Sequence, residues 1–305
     1  MPAPDDDAYW REYHVMPRYL AGSLSTDDDP SLQPFVGLNW PRHHLDDDLG
    51  KTVFTSPDGR LRIGFFGDDY LLWHVSAYED PFGPRRWAAT FNQNTPPEIV
   101  AGLTVALARD YEEGNDRFLA RPPMRWGEQT HPLTEAGWTR DWGAETGTVE
   151  IIAPDKQAGI LLDTRSYDPE DETSLLWSGP PGWGTRVEAT FTASTPGHLV
   201  AATAAAMADP TPVVRYEHSI PRGLRALVRL TPVEPPGPPV PTPLDVRRTA
   251  VAQALHRATH PGDRASAARA RTTTPLTATA SSRTAPAPAP TGGTPAAPVR
   301  SGSRR

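Results

Sequence analysis

One stretch of this chain is written twice. Thr90-Phe91 followed by Thr95-Pro96 recurs as Thr190-Phe191 followed by Thr195-Pro196, an offset of 100. Downstream, Ile99-Val100-Ala101 matches Leu199-Val200-Ala201 and Leu107 matches Met207. Upstream, Ser56-Pro57-Asp58 matches Ala153-Pro154-Asp155 at an offset of 97, and Trp40 matches Trp138. Leu71-Leu72-Trp73 is aligned with Leu175-Leu176-Trp177 at 104. The changing offsets place insertions in loops, where lengthening costs little. One copy spans residues 35–110 and the other 133–209. A repeat of this length constrains the fold strongly, because whatever one copy builds, the other builds too.

Each matched piece has a local reason. Ser56-Pro57-Asp58-Gly59 suits a type I turn, with Pro second and Gly fourth. It joins a strand at 52–56 to one at 60–66, where Leu61, Ile63 and Phe65 alternate. Residues 70–78 and 86–92 read as two further strands. In Thr95-Pro96-Pro97-Glu98, Thr95 is expected to cap a helix and Glu98 to complete a capping box. Ile99, Leu103, Ala106 and Leu107 then form an apolar stripe at helical spacing, repeated more weakly as Leu199, Thr203, Ala206 and Met207. A helix laid across a sheet buries the apolar face of both. The fold class is therefore α+β, with two tandem antiparallel-sheet-plus-helix (ββββα) repeats around a pseudo-twofold axis. Residues 1–34 form an N-terminal segment and 111–132 a linker. Residues 210–230 add a terminal strand, read from the alternation of Leu224, Ala226, Val228 and Leu230.

Composition separates this body from the last quarter of the chain. All 9 Trp, 8 Tyr and 8 Phe lie before residue 231. Residues 231–305 hold 14 of the 36 Pro and ten Arg against three acids, a charge of +7. The whole chain is −7, so residues 1–230 carry −14. A Pro/Ala/Arg-rich segment with no aromatic residue cannot offset its conformational entropy by burial, so a disordered basic tail is expected. One short helix is expected within it at 243–259, where Thr242 is the cap, Pro243 sits in the first turn, and Leu244, Val251, Leu255 and Ala258 share a face.

These residues resemble the actinobacterial SPDY-type repeat proteins, whose domains of unassigned activity often occur twice per chain. The resemblance rests on Arg18-Tyr19-Leu20-Ala21-Gly22, Ser56-Pro57-Asp58-Gly59-Arg60-Leu61, Trp87 to Phe91, and Thr95-Pro96-Pro97-Glu98-Ile99-Val100, and it covers roughly residues 14–210. The second copy departs from the pattern, with Ala153 for Ser, Lys156 for Gly and Gly197-His198 for Pro-Glu. The resemblance implies no cofactor and no catalytic residue.

The residues themselves point the same way. Cysteine is absent, which excludes disulfides, cysteine nucleophiles and cysteine-bound metal. There is no glycine-rich phosphate loop and no Gly-x-Ser-x-Gly elbow. His43-His44-Leu45-Asp46-Asp47-Asp48 has metal-ligand residue types, but neighbours in an extended loop point apart, so a solvated loop is the better reading. Asp68-Asp69 near His74 offers an acid/base pair, although the second copy has no matching histidine. No catalytic, cofactor-binding or metal residue is therefore assigned. Trp40/Trp138 and Trp73/Trp177 are paired by the repeat and read as core. Arg125-Trp126 and Arg140-Asp141-Trp142 lie in or next to the segment joining the copies, and Arg and Trp are enriched at binding hot spots.

These four residues, Arg125, Trp126, Arg140 and Trp142, are the expected partner surface of a non-enzymatic, protein-binding or scaffold protein. A one-copy Asp/His enzyme is the first alternative. A nucleic-acid accessory protein acting through the tail is the second; it is disfavoured because the tail has no stacking aromatics and the body is acidic. The acidic N-terminus reads as no secretory signal, and apolar runs of about ten residues are about half a membrane span. A cytoplasmic protein without membrane contact is the resulting expectation.

Overall fold

The computed structural model describes residues 10–23, 29–44, 51–65, 71–121, 126–166, 168–182, 184–234 and 242–259. The chain divides into two units, Met1–Pro235 and Pro236–Arg305.

The first unit is built on a ten-stranded antiparallel sheet. Its first half contains β2 (Arg42–His44), β3 (Thr52–Thr55), β4 (Leu61–Phe65), β5 (Leu71–Tyr78) and β6 (Arg85–Asn92). Its second half contains β7 (Thr139–Asp141), β8 (Thr148–Ile152), β9 (Ala158–Asp163), β10 (Glu172–Ser178) and β11 (Val187–Thr192). Helices α2 (Pro97–Glu112) and α4 (Gly197–Ala208) follow the two halves, and the short helices α1 (Gln33–Gly37) and α3 (Gly127–Glu135) precede them. Among the described residues each copy thus has five strands, one more than the sequence suggests. The additional edge strands β2 and β7 are three residues long and largely exposed, so they leave no apolar alternation to read.

The strand order is β2-β3-β4-β5-β6-β11-β10-β9-β8-β7, which reads the same from either end. The copies meet edge to edge, with Phe91 opposite Ala189, Thr90 opposite Thr190 and Ala89 opposite Phe191. The Thr90 and Thr190 hydroxyls share a hydrogen bond of 2.7 Å, and the Phe91 and Phe191 rings meet edge to face at 5.9 Å. The offset of 100 therefore relates residues that face each other across the pseudo-twofold axis. Joining two open sheets at β6 and β11 also removes two unpaired edges.

One sheet face is buried under the helices. Trp73, Val75 and Ala77 on β5 and Trp87, Ala89 and Phe91 on β6 are buried, while His74, Tyr78 and Thr90 between them are half-buried. Trp87 Nε1 donates to the Phe118 carbonyl oxygen at 2.7 Å, and Ser174 Oγ on β10 donates to Gln129 Oε1 of α3 at 2.9 Å. The expected stripe of α2 is buried: Ile99, Leu103, Ala106 and Leu107 are all in the core. Each of the larger three contributes about 1.5–3 kcal/mol relative to exposure.

The expected capping box at Thr95 is not formed. Pro96 is the N-cap and no side chain caps the helix; Thr95 Oγ1 donates instead to Asn92 Oδ1 at 3.2 Å. Glu98 is taken by Arg215, which donates to it through Nη1 at 2.9 Å and Nη2 at 2.6 Å. The counterpart pair runs the other way, from His198 at the start of α4 to the fully buried Asp110 near the end of α2, 2.6 Å apart.

A second, three-stranded sheet has the order β12-β1-β13, with β1 at Glu12–Met16, β12 at Val213–Tyr216 and β13 at Arg229–Pro232. The N-terminal segment is thus clamped between two strands from the other end of the body. Residues 222–227 form turns, and the terminal strand begins only at Arg229. The alternation that suggested a strand from Leu224 reflects a buried turn residue, Leu224, an exposed Ala226, and Val228 and Leu230 half-buried against the core.

In the second unit, α5 (Pro243–Thr259) occupies the expected span. Thr242 and Asp245 cap each other reciprocally: the Asp245 amide donates to Thr242 Oγ1, and the Thr242 amide and hydroxyl donate to Asp245 Oδ2. Leu244, Val251 and Leu255 are exposed on it. The expectation of a disordered tail from residue 231 does not hold for its first residues: Thr231 and Pro232 belong to β13, and the Val233 amide donates to the Glu12 carbonyl oxygen. Residues 235–241 and 260–305 lie outside the described residues.

Candidate functional site

Ladder register gives the correspondence between the copies residue by residue. Thr90 faces His74 and Thr190 faces Leu175, so His74 corresponds to Leu175, Ser76 to Trp177 and Trp73 to Ser174. The pairing of Trp73 with Trp177 is therefore wrong by three residues. An odd slip moves a side chain to the other sheet face. Trp73 is 2% exposed in the core beside Phe65, whereas Trp177 is half-buried on the opposite face. Trp40 and Trp138 do correspond: both are buried, and their amides close the short helices α1 and α3 by bonding to the Phe35 and Leu133 carbonyl oxygens.

Three of the four residues expected at a partner surface lie together. Arg140 is on edge strand β7, opposite Ile151, as Arg42 is on β2 opposite Phe54. Its guanidinium carbon sits 4.5 Å from the Trp142 ring centroid and 5.6 Å from that of Trp126. One cation is thus shared by two indoles, each contact contributing about 0.5–1 kcal/mol at an exposed site. Trp142 is 83% exposed, whereas Trp126 is half-buried against the core at the N-terminus of α3. Beside this stack is a 290 Å³ hollow lined by residues that include Arg140, Ile152, Pro154 and Lys156. Arg125 lies outside the described residues. In the first copy, Arg42 stands 5.7 Å over Phe54, and the position of Trp142 is held by His44. The arginine is repeated and the exposed indole is not.

The family model of SPDY, a domain of unknown function (DUF317), matches residues 55–112 and 152–213. The chain carries two SPDY domains. The SPDY matches begin at the ends of β3 and β8 and run through α2 and α4, so the short helices and edge strands before them, including Trp142 and Arg140, belong to the structural copy but precede the matched SPDY segment. Neither the curated proteins nor the solved structures gave a match.

The remaining sequence candidates separate. His43 and His44 are exposed on β2 of the first SPDY copy, and Asp46–Asp48 lie outside the described residues. Among the described residues, no group of three His, Asp or Glu is placed to hold a metal ion. His74 is in mid-strand on β5, opposite Gly64 and Thr90. Burial holds its imidazole below the ordinary histidine range, and the Arg85 charge adds to this. Its expected partners Asp68 and Asp69 lie outside the described residues.

Sequence reading missed a second constellation, on the open sheet face of the second SPDY copy. Trp177 Nε1 donates to Glu150 Oε1 at 3.0 Å, and the Arg186 guanidinium lies 4.3 Å over the indole. Arg186 Nη1 donates to the Gly179 carbonyl oxygen at 3.1 Å, and Arg186 Nε is 4.0 Å from Glu188. Burial lowers the Arg186 pKa, opposed by the charges of Glu188 and Glu150. A 420 Å³ pocket opens beside it, lined by Asn92, Gln93 and Asn94 on one side and by Pro181, Gly182, Gly184, Arg186 and Glu188 on the other. The misplaced register of Trp177 hid this group, because it assigned the indole to the core.

Proposed function

We propose that this protein binds another protein and catalyses no reaction, and that the Trp126–Arg140–Trp142 stack is its partner surface. The observation that carries this reading is an indole 83% exposed just after an edge strand, with an arginine of that strand fixed against it. Exposed Trp is expensive in hydration, and Arg–Trp pairs are overrepresented where partners dock. The stack lies beside a short edge strand, which can also offer main-chain groups to an incoming segment. The contrast between copies supports it further: the architecture-bearing Trp40 and Trp138 are shared, while the exposed Trp142 occurs once.

The test is recovery of a partner from the native cell with Trp142→Ala, made alongside Arg140→Ala. Trp142 is nearly free of packing, so its loss should leave the melting temperature unchanged and reduce recovery of the partner by about ten-fold or more, as expected for a hot-spot residue. Trp126→Ala is a poorer probe, because Trp126 packs against the core and its removal also costs stability. Undiminished recovery with both Trp142→Ala and Arg140→Ala would remove this surface from consideration.

A further inference from the structure

The open-face constellation around Trp177 depends on several residues that changed together. In the ladder, Trp177 corresponds to Ser76, Gly159 to Arg62, Glu150 to Val53 and Glu188 to Ala88. Each substitution serves the others. A Cβ on Gly159 would lie 2.9 Å from the Trp177 ring, so only glycine lets the indole lie on the strand. Glu150 then fixes the indole edge, and Arg186 covers its upper face. Asn92 and Asn94 both donate through Nδ2 to the Arg186 carbonyl oxygen, at 2.8 and 2.9 Å, anchoring the start of β11. Their counterparts in the second copy are Thr192 and Ser194, at the same offset of 100. A strand-interior glycine weakens a sheet, so a scaffold alone gives no reason for this set.

We infer that the pocket between residues 92–94 on one side and Gly182, Arg186 and Glu188 on the other binds a planar carboxamide group, supplied by a peptide main chain or a small free amide. Its volume of 420 Å³ falls in the range of ligand sites. The charge balance selects the chemistry. Arg186 and Glu188 both line the pocket, 4.0 Å apart, so an added anion meets a carboxylate and an added cation meets a guanidinium. A neutral group that both donates and accepts satisfies both signs. The Arg186 guanidinium, held 4.3 Å over the indole, lines the pocket, and a guanidinium is a planar group on which a planar amide stacks. Gln93 adds a carboxamide to the wall, a group that pairs reciprocally with an amide, while Asn94, whose Nδ2 is held by the Arg186 carbonyl oxygen, adds an acceptor oxygen. This site is separate from the Trp142 surface, so either can fail without the other.

The test is an NMR titration of the full chain, reading the indole N–H resonance of Trp177 assigned through Trp177→Phe. The probes are N-acetyl-trialanine amide, acetamide and inorganic phosphate. Saturable displacement by the blocked tripeptide is expected, weakened roughly ten-fold or more in Arg186→Gln, which removes a charged hydrogen-bond donor. Arg86→Gln, the same change in the first copy, should leave the titration unaltered. Acetamide saturating as readily as the tripeptide assigns the source to small amides; a clear preference for the tripeptide assigns it to a main chain. Displacement by phosphate alone, no displacement by any amide, or equal weakening in Arg86→Gln would overturn the inference. Gly159→Ala serves as a second variant: with the sheet intact by amide chemical shifts, it should abolish the displacement.

Discussion

Where the second copy places Trp177, Gly159, Glu150 and Glu188, the first places Ser76, Arg62, Val53 and Ala88 at the same ladder positions. On the buried face the same comparison gives near identity of role: Val75 and Leu176, Ile63 and Ile160, Phe91 and Phe191 are all core. In the first copy Arg62 lies 4.4 Å over the Tyr78 ring and donates to the Pro81 carbonyl oxygen, which closes its hairpin. The second copy has a glycine at the corresponding position. The buried face keeps an apolar core at most positions, because packing tolerates few shapes, although Trp73 is replaced there by Ser174, which bonds to Gln129. The other face differs more, although Ser76 and Ala88 are themselves buried there, and on it the copies have diverged into a braced hairpin and a pocket.

The ion pairs at the helix ends give the largest expected effect on this comparison. Arg215 is 1% exposed and holds Glu98, whereas in the other pair His198 Nε2 lies 2.6 Å from the buried Asp110. Arg215→Ala should cost about 3 kcal/mol or more in urea unfolding, since it leaves a carboxylate poorly compensated. A loss below about 1 kcal/mol would mean that the first-copy helix is anchored by packing alone.

The two turns come next. Gly59 has φ +74° with a virtual Cβ 2.8 Å from Pro81, and its counterpart Lys156 adopts φ +60° with a full side chain. Gly59→Ala should destabilise by about 1–2 kcal/mol, and Lys156→Gly should stabilise by up to about 1 kcal/mol, because only the latter relieves left-handed strain. Equal and opposite responses within error would sharpen the equivalence of the turns; a destabilising Lys156→Gly would break it.

The smallest effect is on acid stability. Burial alone would raise the Asp58 pKa, but hydrogen bonds from Ser56 and from Arg60 outweigh it, and the net shift is downward. A depressed carboxylate stabilises the fold above its unfolded pKa and loses that contribution as pH falls through the folded value. Asp58→Asn should therefore flatten the dependence of melting temperature on pH below about 4, with little change near neutrality. An unaltered acid limb would show that Asp58 is not linked to folding.

Much of this fold is legible in the sequence because local chemistry repeats. The Pro-Asp turns, the proline-started helices and the Thr90/Thr190 offset carry their reasons in a few adjacent residues. What is not legible depends on distant partners. Thr95 has the residue type and position of a cap, but Asn92 takes its hydroxyl, and Glu98 is claimed by Arg215, more than a hundred residues away. β1 is invisible because its two neighbours come from the far end of the body. The Trp126–Arg140–Trp142 cluster is recoverable from residue type and proximity. The Trp177 pocket is not, since a three-residue error in register turns its central indole inward; Gly159, a lone glycine in an apolar strand, is the available signal.

Edge-to-edge pairing of the two copies is the claim on which the rest depends, and native-state amide hydrogen exchange tests it at the seam. The amides of residues 89–91 and 189–191 should be protected to the same free energy as those of the interior strands β5 and β10, opening only with global unfolding. Exchange there at the rates of the outer strands β2 and β7 would show that β6 and β11 are free edges, and that the two copies do not share a sheet.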